Sequence, residues 1–335
     1  MTEKKTYDAA DYASDQEVRW CPGCGDYAIL KAVQRSLAQL QADPDQTVFV
    51  SGIGCSSRLP YYMSTYGFHT IHGRAPAVAT GIKLANPALD LWIVTGDGDG
   101  LSIGGNHLFH ILRRNVDCQL LLLNNEIYGL TKGQYSPTSR VGARTPSTPF
   151  GSLDRPANPC SFVLGAGGRF IARSFDTHKG LSDLLVRARQ STGTSFVEIY
   201  QNCIVYNADA FAPFTDKATA AERQIWLEHG HPMLFADGSK GLKASSNGRG
   251  LEIVSLADGN WQDAGVLIHD ETDRILAQML VDMPFPDFPI ALGILYHDPA
   301  PSFDSIAARS APPRRAGTAE LAKLLANAQT WSVNA

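Results

Sequence analysis

The sequence lacks an excess of basic residues, a long apolar run and an apolar leader, and each absence excludes a class of protein. Its 29 lysines and arginines against 33 aspartates and glutamates give a formal net charge of −4, so no basic field points to nucleic acid. No apolar run approaches the roughly 18 to 20 residues that a membrane helix needs. The longest run, CQLLLLNN, has the length of a strand. Because the first 20 residues have no apolar core of the secretory type, we expect a cytoplasmic protein.

Apolar segments of strand length alternate with helical segments from the forties to about residue 202. The predicted strands are Thr47–Ser51, Asp90–Thr95, Cys118–Asn124, Arg169–Arg173 and Ser195–Tyr200. The predicted helices are Tyr27–Leu40, Ala75–Asn86, Ser102–Asn115, Asn158–Ala166 and His178–Gln190. Near-continuous apolar strands separated by helices predict an α/β fold, in which helices cover both faces of a doubly wound parallel sheet.

We divide the chain into an N-terminal arm (1–20), a main domain (21–207) and a C-terminal extension (208–335). Within the extension, Gly238–Gly250 is predicted to be a flexible surface loop because it is rich in glycine and serine. The apolar segments LEIVSL, VLIHD and FPIALGILY could add strands there. SAPPRRAG is predicted to be a linker before a short terminal helix.

Two neighbouring predicted strands end in polar motifs, GDGD at 96–99 and NN at 124–125. Ligands of parallel sheets collect at the carboxyl ends of the strands. Glycines let a backbone approach phosphate oxygens, and Mg²⁺ prefers hard oxygen ligands. The side chains of Asp97 and Asn125 and the carbonyl of Ile127 would supply such oxygens. The motifs therefore predict a site for a magnesium diphosphate.

Two other interpretations of the glycine motif are weaker. GDG by itself is an ordinary turn after a strand. A dinucleotide fingerprint would need glycine at position 101, where the chain has Leu101. The order of strand, GDG, helix, strand and NN favours the diphosphate site over both.

The six cysteines fall into two groups. Cys21 and Cys24 form C-P-G-C, and such a pair could bind zinc, be redox-active or be structural. Cys55 follows the first predicted strand, so we expect it at the same sheet edge as GDGD. Cys118 and Cys160 lie in an apolar strand and a predicted helix. We expect both to be small buried hydrophobes.

Longer segments of the chain resemble one enzyme family. They are WCPGCGDYAIL, SGIGCSSRLP, HTIHGRAPAVATGIK, GDGDGLSIGGNH and NNEIYGLTKGQYSPTS. GDG followed by NN is the signature of thiamine diphosphate enzymes, and the fuller text resembles the β subunit of two-subunit 2-oxoacid:ferredoxin oxidoreductases. The resemblance covers about residues 16 to 210. It implies that the main domain is the pyrophosphate-binding (PP) type of thiamine diphosphate domain and that it also holds a [4Fe-4S] cluster.

The same resemblance implies roles for particular residues. In that family the fourth cluster ligand follows the last strand of the domain, and this chain has Cys203 at that position. The implied cluster ligands are Cys21, Cys24, Cys55 and Cys203. Asn202 stands where the family often has proline. A Cys₄ zinc site would fit the same four residues but could not accept an electron.

Residues around the cofactor follow from the resemblance as well. Those expected to bind it are Cys55, His72, Asp97, Gly98, Asp99, Asn125, Ile127, Gly129 and Leu130. Arg58 stands where the family has a basic residue that can meet a substrate carboxylate, and a surface arginine with a local partner is an equal alternative. Leu130, Thr131 and Lys132 are expected beside the reactive end of the cofactor.

The implied reaction is oxidative decarboxylation of a 2-oxoacid with coenzyme A and ferredoxin, or the reverse carboxylation. The wording YGLTKGQ is more similar to 2-oxoglutarate and broad-specificity members, and pyruvate or a branched 2-oxoacid stays open. The chain has no second domain to present the glutamate that activates the cofactor. We therefore expect an α subunit with a pyrimidine-binding domain, in an αβ or (αβ)₂ assembly, with the C-terminal extension covering the partner and the cluster.

Three rival functions are considered. A decarboxylase or carboligase that uses thiamine diphosphate without iron would have no use for four cysteines at strand ends. A zinc-stabilised binding module would contain no thiamine and would be colourless. A simple electron-transfer protein would not need GDG followed by NN.

Overall fold

The structure is a computed structural model that describes residues 6–256, 260–310 and 318–327. The helices are α1 (Asp26–Leu40), α2 (Ala75–Ala85), α3 (Asp97–Leu101), α4 (Gly105–Arg114), α5 (Pro159–Gly165), α6 (Leu181–Gln190), α7 (Ala212–Thr215), α8 (Ala220–Arg223), α9 (Arg274–Val281), α10 (Phe303–Ser310) and α11 (Thr318–Ala326), with a 3₁₀ helix at Ser56–Tyr62. The strands are β1 (Thr47–Ser51), β2 (Tyr66–His69), β3 (Asp90–Gly96), β4 (Cys118–Asn124), β5 (Ile127–Tyr128), β6 (Gln134–Tyr135), β7 (Phe170–Phe175), β8 (Thr194–Tyr200), β9 (Gln224–Leu227), β10 (Leu234–Phe235), β11 (Lys240–Ala244), β12 (Leu251–Ser255) and β13 (Ile290–His297).

The central sheet of the described residues has the order β2-β1-β3-β4-β8-β7-β13-β9. Its neighbouring strands run parallel, with the exception of the antiparallel pair β7 and β13. The five predicted strands and five predicted helices are all present, with ends that differ by at most three residues. The α/β prediction with a mainly parallel sheet is confirmed.

Both faces of the inner strands are buried, which explains why these strands are apolar almost without interruption, whereas the edge strand β2 is exposed. Along β1, Val48 and Val50 pack into the core on one face, whereas Phe49 packs into the core on the other face. On that second face Phe49 stacks against Trp92 of β3, with 5.8 Å between ring centroids. The side chains alternate in this way because successive residues of a strand point to opposite faces. The predicted doubly wound arrangement follows from these two cores.

The C-terminal part joins the same sheet. Strands β9 and β13 extend the sheet beyond β7, and α9 packs against β13 with its apolar face in the first core. The prediction that Gly238–Gly250 is a loop is wrong for its first half, because β11 forms there and pairs with β10 and β12. The division at residue 207 therefore stays a prediction, and it does not separate two sheets. Most of the predicted linker at 310–317 lies outside the described residues.

The described helices are short. The longest, α1, has 15 residues, which at 1.5 Å per residue span about 22 Å against a hydrocarbon layer of about 30 Å. Within residues 6–256, 260–310 and 318–327, none of the helices combines the length and the apolar character that crossing a bilayer requires.

Candidate functional site

A cavity of about 90 Å³ lies at the carboxyl edge of the central sheet; we call it the strand-end cavity. It forms where the loops that follow β1, β3 and β4 meet, because parallel strands present their carboxyl ends at one edge. Every residue that the sequence expected to bind the cofactor lines it, whereas Lys132, expected beside the reactive end, lines the neighbouring cavity that holds the four cysteines. The expected residues that line the strand-end cavity are Cys55, His72, Asp97, Gly98, Asp99, Asn125, Ile127, Gly129 and Leu130, together with Thr131.

The carboxylate of Asp97 is buried and held by two hydroxyl groups. Ser136 Oγ and Thr138 Oγ1 each donate a hydrogen bond of 2.6 Å to the same oxygen, Oδ2. Burial raises the pKa of Asp97, and the two hydroxyl groups partly offset that effect. The hydroxyl groups fix the direction of a carboxylate that suits a hard cation.

Asn125 is oriented by hydrogen bonds on both atoms of its amide. Its Nδ2 donates to Gln201 Oε1 at 2.8 Å, and its Oδ1 accepts from the backbone N–H of Ile127 at 3.2 Å. An amide oxygen keeps a second lone pair beyond this bond. Asp97, Asn125 and Ile127 line the same cavity, so they meet where the sequence predicted a magnesium site.

Gly98 lies too close to its neighbour for any side chain. A Cβ atom placed on Gly98 would come within 2.2 Å of Tyr128 Cε1, whose hydroxyl donates a 2.9 Å hydrogen bond to the carbonyl of Gly98. Only glycine allows this approach of backbone to ring. The bare backbone of Gly98 forms part of the cavity wall, as the sequence predicted for a phosphate-binding turn.

Asp99 uses its carboxylate to join three loops. Oδ1 accepts hydrogen bonds from the backbone N–H of Ile53 at 3.1 Å and of Gly73 at 2.8 Å, and it lies 2.6 Å from His72 Nδ1. Oδ2 accepts from Thr95 Oγ1 at 2.7 Å. A carboxylate has about four acceptor sites, so these four donors account for its capacity. Asp99 lines the cavity as predicted. The hydrogen bonds of its carboxylate all come from other groups of this chain.

The four cysteines assigned to a cluster line a second cavity, of about 230 Å³, which we call the cysteine cavity. It is lined by Cys21, Cys24, Cys55 and Cys203. The wall between two of the thiols is Gly129, where a Cβ atom would lie 3.5 Å from Cys203 Sγ and 3.7 Å from Cys55 Sγ. The C-P-G-C turn, the end of β1 and the segment after β8 thus bring their cysteines to one place.

The chemistry of the cysteine cavity fits a multinuclear cluster. Among the described residues, no three His, Cys, Asp or Glu side chains converge on one ion. In a cubane each cysteine binds its own iron, and four cysteines around one cavity are a ligand set that such a cluster could use. Burial raises the pKa of Cys24 above its usual range and that of Cys55 to about 12. Such thiols become thiolates when a metal replaces the proton.

Gln201, which follows β8, lines the cysteine cavity and is 1 % exposed. Its Nε2 donates to Cys24 Sγ at 3.2 Å and to the carbonyl of Asn202 at 2.7 Å. Its Oε1 accepts the bond from Asn125 described above. One buried amide therefore connects a predicted cluster ligand to a predicted magnesium ligand.

Arg58 lies outside the strand-end cavity. It lines the cysteine cavity and a neighbouring groove of about 480 Å³ that also contains Arg19 and Leu130. Its Nη1 donates to the carbonyl of Arg19 at 3.0 Å. Leu130 lines both the strand-end cavity and the groove, and it lies between Arg58 and the strand-end cavity.

The other two cysteines are buried, as predicted. Cys118 is 1 % exposed and Cys160 is fully buried. Cys118 is the first residue of β4 and packs in the first core, and Cys160 donates to Glu198 Oε2 at 3.2 Å. Neither lines the cysteine cavity.

Sequence reasoning missed several residues of this site. Ser136, Thr138, Tyr128 and Gln201 bind predicted ligands, yet none was assigned a role. Ser136 and Thr138 stand in the segment QYSPTS that carried part of the resemblance, so their hydroxyl groups were a usable signal. For Gln201 the only signal in the sequence was its position directly after a buried strand.

Comparisons with known proteins agree with this geometry. Residues 52–199 match the thiamine pyrophosphate enzyme family, C-terminal TPP binding domain. The chain is 48 % identical to the 2-oxoglutarate oxidoreductase subunit KorB of Mycobacterium tuberculosis, over 97 % of this chain and 88 % of the relative. It is 46 % identical to subunit beta of 2-oxoacid:ferredoxin oxidoreductase 1 of Aeropyrum pernix, over 59 % of this chain and 63 % of the relative.

One solved structure covers nearly the whole chain. It is the 2-oxoglutarate:ferredoxin oxidoreductase of Magnetococcus marinus with 2-oxoglutarate, coenzyme A and succinyl-CoA bound. The TM-score is 0.76 at 32 % identity, and the match covers 96 % of this chain and 97 % of the other. The likeness extends through the C-terminal part as well as the two cavities.

Proposed function

This chain belongs to the family of 2-oxoacid:ferredoxin oxidoreductase β subunits, and we propose that it forms the half of such an enzyme that carries thiamine diphosphate and the cluster. The proposed reaction is the oxidative decarboxylation of 2-oxoglutarate to succinyl-CoA, with coenzyme A as acyl acceptor and ferredoxin as electron acceptor, or its reverse. Cys21, Cys24, Cys55 and Cys203 would hold a [4Fe-4S] cluster, and Asp97, Asn125 and Ile127 would hold Mg²⁺.

One observation carries the proposal: the two cavities share part of their walls. Cys55, Asn125, Gly129 and Leu130 line both. A cluster in the cysteine cavity would therefore be a near neighbour of a cofactor in the strand-end cavity. Transfer of single electrons between two centres needs this proximity, and neither a colourless zinc module nor a decarboxylase without iron would need it.

The residues of this chain bind and orient the cofactor. When bound, thiamine diphosphate supplies the carbanion and the electron sink of the reaction. The backbone at Gly98 can approach a phosphate group, and Asp97, fixed by Ser136 and Thr138, can take a cation that neutralises the diphosphate. Leu130, 44 % exposed, would cover the reactive end of the cofactor and limit access of water.

The volume of the strand-end cavity supports a second subunit. Pockets that enclose a whole ligand measure about 300–1,000 Å³, whereas this one measures about 90 Å³. The charged end of the cofactor would lie against it, and the rings would lie outside it. An α subunit with a pyrimidine-binding domain would cover them and provide the activating glutamate, in an αβ or (αβ)₂ assembly. The reduced thiols of the cysteine cavity suit the cytoplasm.

The preference for 2-oxoglutarate rests on the names of two relatives and on charge. The M. tuberculosis subunit and the M. marinus enzyme both carry 2-oxoglutarate in their names. Arg58 lines the groove beside Leu130, where its guanidinium could pair with the distal carboxylate of a dicarboxylic acid, whereas Arg19 in the same groove is paired with Glu17. Pyruvate or a branched-chain 2-oxoacid is the alternative substrate, and it would not use this pairing.

The test is anaerobic co-purification of the chain with its partner subunit, followed by iron, sulfide, zinc and thiamine analysis and a viologen reduction assay. We expect about four irons and one thiamine diphosphate per αβ pair, with reduction that depends on 2-oxoglutarate and coenzyme A. Zinc in place of iron, or no thiamine, would refute the proposal. Faster reduction with pyruvate than with 2-oxoglutarate would refute only the substrate.

A further inference from the structure

The amide of Gln201 can adopt one orientation only. Nε2 faces two acceptors, Cys24 Sγ at 3.2 Å and the carbonyl of Asn202 at 2.7 Å, and Oε1 faces the donor Asn125 Nδ2 at 2.8 Å. A flipped amide would oppose oxygen to the Asn202 carbonyl and nitrogen to the Asn125 amide nitrogen. The hydrogen-bond network thus assigns the atoms, and the side chain is buried, so water does not replace these bonds.

The bond from Gln201 also fixes Asn125. Because Asn125 Nδ2 donates to Gln201, Asn125 Oδ1 is the atom on the other side of the amide, where it accepts from the N–H of Ile127. With Gln201 removed, the Asn125 amide could rotate and present nitrogen to a cation. Metal ligands commonly depend on such outer partners for their orientation.

We infer that Gln201 is a positioning residue for both cofactors: its N–H donates to the Cys24 thiolate of the cluster, and its oxygen holds the Asn125 oxygen toward Mg²⁺. This inference rests on the proposed function. It adds a residue that belongs neither to the four cluster ligands nor to the three magnesium ligands. Hydrogen bonds to cluster sulfurs stabilise the reduced, more negative state and raise the reduction potential. Gln201 therefore acts on the reduction potential of the cluster and, with the same side chain, on the orientation of the magnesium ligand Asn125.

Two substitutions separate the two roles. Gln201→Leu is apolar and of similar volume, and it removes both the donor and the acceptor. Gln201→Glu keeps an acceptor for Asn125 Nδ2 and removes the donor to Cys24. We expect the midpoint potential of the cluster to fall in both variants. We expect the affinity for Mg²⁺ in the presence of thiamine diphosphate to fall about tenfold in Gln201→Leu and much less in Gln201→Glu.

A matched control acts on the magnesium side alone. Thr138→Val removes a hydrogen bond to Asp97 Oδ2 without touching a residue that contacts Cys24. It should weaken Mg²⁺ and leave the midpoint potential unchanged. If Thr138→Val shifted the potential as far as Gln201→Leu does, general loosening of the site would explain both, and the inference would fail.

The measurements are a redox titration of the cluster followed by electron paramagnetic resonance and a Mg²⁺ titration followed by thiamine diphosphate binding, both on the purified complex with its partner subunit. If the wild-type complex holds no iron or binds no thiamine diphosphate, the proposed function fails first. If the wild-type complex is loaded and Gln201→Leu keeps its potential and its Mg²⁺ affinity, only the inference is overturned. A lower potential in both variants with a selective loss of Mg²⁺ in Gln201→Leu supports it.

Discussion

Nδ1 of His72 lies 2.6 Å from Oδ1 of Asp99, a carboxylate buried beneath the strand-end cavity. Because Asp99 also accepts from two backbone N–H groups, it acts as an acceptor, and His72 Nδ1 carries the hydrogen. The part of the ring that is exposed is then the edge with Nε2, since the opposite edge is turned to Asp99. His72 thus has a fixed direction toward the site where the cofactor is proposed.

We expect His72 to donate from Nε2 to the diphosphate in its doubly protonated form, in which both ring nitrogens carry hydrogen and Nδ1 keeps its bond to Asp99. His72→Ala should weaken thiamine diphosphate binding by about 10- to 100-fold, because one hydrogen bond to a charged group contributes about 1.5–3 kcal/mol. Binding of unphosphorylated thiamine should not change. His72→Gln, which keeps an N–H at the end of its side chain, should restore part of the loss. Equal losses for thiamine and thiamine diphosphate, measured by calorimetry on the complex, would contradict a phosphate contact.

Gly98→Ala should prevent cofactor binding, because its Cβ atom would lie 2.2 Å from Tyr128 Cε1 and would displace the ring or the turn. Gly105→Ala is the matched control. A Cβ atom there meets nothing within 4 Å, so alanine fits without displacement at this first position of α4. Thiamine content after purification distinguishes the two, and retention of thiamine in Gly98→Ala would show that the approach of Tyr128 is unimportant.

Removal of a cluster ligand should be distinguishable from removal of a buried thiol. Cys203→Ala should lose most of the iron and the brown colour, because a cubane needs four ligands. Cys118→Ala, at the start of β4 and in the first core, should keep about four irons per complex and lose some stability. Iron and sulfide analysis under anaerobic conditions provides the measurement. Equal iron in both variants would mean that Cys203 is not a ligand.

The ion pair of Arg173 and Glu198 should contribute to stability because it is buried. Arg173 Nε donates to Glu198 Oε2 at 2.7 Å, and their side chains are 6 % and 0 % exposed. Arg173→Met would leave a buried charge unpaired, at a cost of about 3–5 kcal/mol. Lys240→Met, at the exposed pair with Glu222, should cost no more than about 1 kcal/mol. Chemical unfolding of both variants tests the difference, and equal shifts would contradict it.

The sequence predicted the sheet edge well because its signals are local. A buried strand followed by GDGD or NN needs only a few adjacent residues, and the segments were placed to within three residues. The helix predicted from Ser102 begins instead at Gly105, because Asp97–Leu101 forms a helical turn of its own. VLIHD makes only isolated bridges, such as that of Pro232 with Ile268, since apolar character alone does not specify a pairing partner.

Contacts between distant segments could not be predicted in the same way. Asp99 and Gly73 are 26 residues apart, and their hydrogen bond depends on how two loops meet. Gln201 and Cys24 are 177 residues apart. Nothing in either segment taken alone indicates the other. The sequence therefore predicted which residues gather at the site and left open how their side chains bind one another.

The position of β13 also matters while the chain is being synthesised. Every predicted ligand precedes residue 207, yet β13, at Ile290–His297, is the strand that pairs with β7 on one side and β9 on the other. Until those residues leave the ribosome, β7 has an open edge with unpaired backbone groups, and such edges invite association with other chains. A nascent chain could thus have all its cysteines available for iron while its sheet is still incomplete. Slow translation after residue 207 would prolong that state and increase loss to aggregation.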